Sequence, residues 1–70
     1  SECCSGHDCY PISGDEIEAP PVGWLIKATN ELIEYNDTKV KPSGDAQYHR
    51  CSAQGKRDGR TICLFIPAGA

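Results

Sequence analysis

Residues 60–66, RTICLFI, form an apolar run that is nearly continuous and ends at Pro67. Its β-branched and aromatic side chains predict a buried strand, the strongest in the chain. Upstream, residues 46–52, AQYHRCS, also read as a strand. The polar stretch AQGKRDG between them, with Gly55 and Asp58-Gly59, reads as a loop, so the two strands form one hairpin. The stretch VGWLIKATNELIEYND has two readings. Leu25, Ala28, Leu32 and Tyr35 fall at helical spacing. Trp24, Ile26, Ile33 and Tyr35 instead suit strands, and Thr29-Asn30 in the middle is poor for a helix interior but good for a turn. A hairpin over 24–35 is the preferred reading, and a short helix there is the alternative. Residues 15–19, DEIEA, and Thr38–Lys41 predict two further short strands, the second stopped by Pro42 and the turn Pro42-Ser43-Gly44-Asp45. Pro20-Pro21 prevents a helix from running through that point.

Residues 1–14 read as an irregular, cysteine-rich segment and 67–70 as a tail. With no internal repeat and no linker, the whole of 1–70 is expected to form one domain. The predicted fold class is a small β-rich, disulfide-stabilised domain of antiparallel hairpins, with 60–66 paired to 46–52 and the 22–35 hairpin packed beside them.

A chain of 70 residues buries only about 60% of its unfolded surface, so hydrophobic burial alone leaves it marginal. Methionine is absent and the large apolar side chains are few. The five cysteines are therefore the natural staples, and they point to an oxidising compartment. The net charge of −3 is small and mixed, which argues against a general nucleic-acid binder. No apolar run approaches the ~18 residues of a membrane span. Ser1 opens a polar stretch, so the chain reads as processed or trimmed, with a signal peptide already removed. A periplasmic or extracellular location is expected.

CCSGHDC near the start, then GWLI, KPSGDAQYHRC and the final CLFIP occur in an order that resembles a family of small exported proteobacterial proteins of unknown function. Those proteins share CCS..DC, PS.D....HRC and CLF.P segments, and the resemblance covers Cys3 to Pro67. It implies export and a cysteine-stapled mature domain, and it brings no activity with it.

Five cysteines leave one over after two bridges. Cys51 and Cys63 lie close across the predicted 46–66 hairpin. A bridge there would close a loop of ~13 residues and add about 3 kcal/mol. The second bridge would then join Cys9 to Cys3 or Cys4. A crossed arrangement, Cys4 or Cys9 to Cys51 or Cys63, ties the chain ends together and also fits. The disulfide set is read as Cys51, Cys63, Cys9 and Cys4, with Cys3 as the leftover thiol and a lead to a partner chain.

Cys3, Cys4, His7 and Cys9 also make a possible thiolate–imidazole set for zinc or copper(I), completed by His49 with Cys51 or Cys63. A C-x2-C pair is missing and an oxidising compartment consumes thiols, so disulfides are preferred, and no metal or cofactor is expected. No catalytic residue is assigned: there is no C-x-x-C pair, no base is placed beside a nucleophile, and Asp15, Glu16 and Glu18 read as a solvated run. Lys56, Arg57 and Arg60, with Arg50 nearby, form the one basic spot. It is either a solvated hairpin tip or a contact for an anionic partner. Trp24 is a core anchor or, if exposed, an interface residue. Asn36-Asp37-Thr38 satisfies a glycosylation sequon, which would mark a surface turn.

The expectation is a non-catalytic binding or structural accessory module. Its partner would be another protein chain or a second copy, with no nucleic acid and no membrane span. A cell-envelope metal-binding protein is the alternative reading, and a thiol-active protein built on the leftover cysteine is a third.

Overall fold

The computed structural model describes Cys3 and residues 8–70. In chain order the strands are β1 (Cys9–Ile12), β2 (Ile17–Glu18), β3 (Gly23–Ile26), β4 (Glu31–Glu34), β5 (Val40–Pro42), β6 (Tyr48–Ser52) and β7 (Thr61–Ile66). They form two sheets, one of order β1-β6-β7-β5 and one of order β2-β3-β4. The β-rich, disulfide-stapled fold class is the one the sequence predicts.

The apolar run at 60–66 becomes β7. It lies antiparallel to β6, with Arg50 opposite Leu64 and Cys51 opposite Cys63. The 24–35 segment is a hairpin, with Leu25 opposite Leu32 and Ile26 opposite Glu31. Its turn is closed by the Asn30 and Thr29 amides, both donating to the Ile26 carbonyl, and Asn30 takes a left-handed φ of 63° that asparagine tolerates. Strand alternation then sorts the side chains. Ile17, Trp24, Ile26 and Ile33 from one sheet meet Ile12 and Leu64 from the other in a single core, with Tyr10, Val40, Tyr48 and Ile66 at its margins.

Three details differ from the sequence reading. First, the N-terminal segment is not wholly irregular, because Cys9–Ile12 is an edge strand on β6. The Ser52 amide donates to the Asp8 carbonyl, so the backbone of alternate residues faces β6 and Pro11, which lacks an N–H, faces outward. Second, not all pairs are antiparallel: β5 lies parallel to β7, held by the Leu64 amide on the Lys39 carbonyl at 2.9 Å and the Ser43 amide on the Ile66 carbonyl at 2.8 Å. A chain pattern of short strands cannot show that β5 skips β6 to reach the far side of β7. Third, the 24–35 hairpin does pack beside the main strand pair, but as part of a separate sheet to which β2 adds a third strand.

The bridges are Cys3–Cys63 and Cys9–Cys51. Cys51 and Cys63 are opposite each other, as expected, yet they are not joined. Cys51 lies on an interior strand, with Cys9 opposite it on the other side, and it bonds to Cys9. Cys63 is then taken by Cys3, so Cys3 is not the leftover thiol. Cys4 and His7 lie outside the described residues. No helix among the described residues is long and apolar enough to cross a membrane.

Candidate functional site: a basic loop held from below by Arg50

Arg50 sits at the middle of β6, between Tyr10 on β1 and Leu64 on β7. Alternation along β6 turns its side chain towards the space between the sheets, where only 2% of its surface stays exposed. A buried guanidinium must have its donors satisfied. Here Nε donates to Thr61 Oγ1 at 2.8 Å, Nη1 to Tyr10 Oη at 2.7 Å and to the Arg57 carbonyl at 2.9 Å, and Nη2 to the Gly59 carbonyl.

The counter-charge comes from the second sheet. Glu31 begins β4 opposite Ile26, so its carboxylate points inward and stands 3.6 Å from Arg50 Nη2. It also accepts from the Thr61 hydroxyl at 2.6 Å, the Thr61 amide at 2.9 Å and the Thr29 hydroxyl at 2.7 Å. Partial burial pushes the Glu31 carboxyl up, but the hydrogen bonds from Thr61 and Thr29 and the charge of Arg50 outweigh it and hold the group below the ordinary glutamate value.

The network continues to the loop backbone. Ser52 Oγ donates to the Lys56 carbonyl at 2.6 Å and lies 3.2 Å from Tyr10 Oη. Within the loop, the Ala53 amide bonds the Arg60 carbonyl, Lys56 bonds Ala53, and Gly59 bonds Lys56. Gly59 permits the tight return: a Cβ there would lie 2.7 Å from the Ala53 carbonyl oxygen. Every buried side-chain nitrogen and oxygen among the described residues has a partner. Residues 53–60 are thus a cross-braced loop.

What the loop presents is basic. Lys56, Arg57 and Arg60 are exposed. Arg57 is fixed in place, 2.7 Å from Glu16 Oε1 and with its guanidinium 4.4 Å from the centre of the Tyr10 ring. Lys56 and Arg60 have no ion-pair partner among the described residues.

The five residues read from the sequence as partner contacts therefore divide. Lys56, Arg57 and Arg60 share the exposed loop. Arg50 lies beneath it as the clamp, because alternation on an interior strand buries it. Trp24 is 8% exposed and belongs to the core, edge-on to Tyr35 at 5.3 Å and to Tyr48 at 6.1 Å. Sequence reasoning missed Glu31, Thr61, Tyr10 and Ser52. The available signal was Glu31: in a hairpin, ELIE places it on the same face as Ile33, and a carboxylate on an apolar face calls for a buried cation.

Of the proposed metal set Cys3, Cys4, His7 and Cys9, the first and last are committed to bridges and offer no thiolate. His49 is held instead by Asp45, whose two carboxylate oxygens both lie 3.0 Å from Nε2. An open groove of about 490 Å3 runs between residues 11–14 and 46–48 at the other end of the sheets, and none of the described residues that line it is acidic, basic or a thiol. Comparison of the chain with known protein families, curated proteins and solved structures returned no match.

Proposed function

We propose that this chain is an exported, non-catalytic binding module that presents residues 53–60 to an acidic surface on another protein chain. The observation behind this reading is the clamp: a buried arginine whose donors go to the backbone of a surface loop. A loop whose backbone is already held loses little conformational freedom on binding, and that is how a small module gains affinity. Lys56 and Arg60 supply positive charge on a chain that is otherwise acidic, which favours encounter with an anionic partner. The two disulfides are compatible with an oxidising location, and we place the protein in the periplasm or outside the cell.

Site-specific photo-crosslinking in the native compartment tests the proposal. A photoreactive residue at exposed position 58, which leaves Lys56 and Arg60 in place, should capture a discrete partner, and one at Asn36, in the turn after β4, should not. Lys56→Glu/Arg60→Glu should abolish capture, and raised salt should weaken it. Capture that is equal at both positions, or unaffected by the charge reversal, would overturn the reading.

A further inference from the structure

We propose that the Cys3–Cys63 bridge is a thiol-exchange site, and that the sheet holds a second disulfide partner for Cys63 in Cys51. The first observation is register. Cys9 lies opposite Cys51 and Cys51 lies opposite Cys63, so three cysteines form one row across β1, β6 and β7. Directly opposed residues of antiparallel strands share a face and have Cα atoms roughly 4.5–5.5 Å apart. That span lies within the range a disulfide accepts. Cys51 thus has a partner in reach on both sides and bonds only one. Cys9 and Cys63 are two strands apart and cannot bond while the sheet stands.

The second observation is the surroundings of Cys63. It lines a small polar cleft of about 220 Å3 with Thr38, Lys39 and Arg60. Lys39, which also pairs with Asp37 at 3.4 Å, and Arg60 place positive charge on the same cleft wall as Cys63. Positive charge near a cysteine favours its thiolate, and a thiol of lowered pKa is the better leaving group in exchange. Cys63 itself is 1% exposed, while Cys3 is partly exposed, so an incoming thiol meets the Cys3 sulfur first.

The sequence of steps balances without an added oxidant. A small-molecule thiolate attacks Cys3 Sγ, the Cys3–Cys63 bond breaks, a mixed disulfide forms on Cys3, and Cys63 leaves as a thiolate. Cys63 then attacks Cys51 Sγ, forming Cys51–Cys63 and releasing Cys9 as a thiolate. If the Cys9 thiolate then attacks the mixed disulfide on Cys3, the small thiol is returned and Cys3–Cys9 forms. Both pairings place two bridges in the chain, and both leave the strand register unchanged. They differ in whether Cys3 is tied to β7 or to β1.

The test uses the full chain with Cys4→Ser, so that no fifth thiol takes part. The protein is held in a reduced and oxidised glutathione mixture at neutral pH, quenched by alkylation, and its bridges are mapped by mass spectrometry. Cys51–Cys63 should accumulate alongside Cys9–Cys51, and Cys9–Cys63 should not. Equal amounts of Cys9–Cys63 would mean scrambling of the unfolded chain, and exclusive retention of Cys9–Cys51 would mean that Cys51 takes no part; either overturns the proposal. A parallel Cys4→Ser/Cys9→Ser variant, held at a low temperature at which its circular-dichroism signal shows it folded, removes the competing bond. It should divide between Cys3–Cys63 and Cys51–Cys63, and finding Cys3–Cys63 alone would count against exchange. Lys39→Gln/Arg60→Gln should slow opening of the Cys3–Cys63 bridge several-fold, and an unchanged rate would remove the role given to the cleft.

Discussion

Arg50 Nη2 and Glu31 Oε1 stand 3.6 Å apart across the gap between the two sheets, joining β6 to β4 by charge as the apolar core joins them by packing. Arg50 is nearly sealed and Glu31 is partly open, its side chain 28% exposed. That asymmetry sets the expected costs. Arg50→Ala removes the donors for Thr61, Tyr10 and two loop carbonyls and leaves a void. It should cost about 3–5 kcal/mol, as removal of one member of a buried pair does. Domains of this size have roughly 4–10 kcal/mol in all, so the variant should sit near the unfolding threshold in urea titration. Glu31→Gln keeps the shape and some of the hydrogen bonds, and in its more solvated position should cost about 1–2 kcal/mol at neutral pH.

The same pair makes stability depend on acid. Glu31 ionises below its ordinary value in the folded chain, so over that interval the unfolded chain binds more protons. The stabilisation is complete above the unfolded value of ~4.3 and is lost as pH falls through the folded one. Asp45, held low by the Gln47 amide and then by His49 and Ser43, and Asp37, held low mainly by the Lys39 amide, act with the same sign. Urea midpoints should be flat near neutrality and decline below about pH 4.3. The decline should be shallower in Glu31→Gln, and an identical acid limb in that variant would remove Glu31 as a cause.

Gly23 tests the packing of β3 on β4. A Cβ at this buried position would meet the Ile33 carbonyl oxygen and lie 2.9 Å from Glu34 Cα, both backbone atoms that cannot turn aside. Gly23→Ala should cost about 1–3 kcal/mol by overpacking. Val22→Ala next to it, at a site 60% exposed, should change little. Thermal melts of the two variants side by side give the comparison.

Removing one staple should be nearly as damaging as removing the clamp. Cys9 and Cys51 are 42 residues apart in sequence, and opening a loop of that length releases about 4 kcal/mol of chain entropy in the unfolded state. Cys9→Ala/Cys51→Ala should therefore leave a domain that is largely unfolded at 37 °C, read from the loss of its circular-dichroism signal on warming.

Tyr10 links the clamp to the loop through its hydroxyl and to Arg57 through its ring. Tyr10→Phe keeps the ring and removes the hydroxyl, leaving one Arg50 donor without its partner. A loss of about 1–3 kcal/mol is expected. Amide hydrogen exchange at Lys56 and Gly59, whose amides close the loop, should rise more than exchange in the β3–β4 hairpin. A uniform rise across the chain would show that the loop is not a separately held unit.

Local pattern determined much of this fold. The unbroken apolar run at Thr61–Ile66, the loop after Ser52 and the Thr29-Asn30 turn were legible because strand propensity and turn chemistry act within a few residues. So were the need for disulfides and the core place of Trp24 as one of its two readings, since both follow from how little apolar surface 70 residues can bury. What only the tertiary structure decided depends on which strands meet. β1 was hidden because Cys9–Ile12 holds a proline that only an edge position tolerates. The parallel β5–β7 pair was hidden because direction is not written in a three-residue strand. The disulfide map followed from the first of these: once β1 docks on β6, Cys51 has a neighbour on each side, and the shortest loop no longer wins. Arg50 looked like part of a solvated basic patch for the same reason. Its burial comes from the partner sheet, which brings Glu31 from 19 positions away, and from the neighbouring strand β7, which brings Thr61 from 11 away, and no window of sequence shows that meeting.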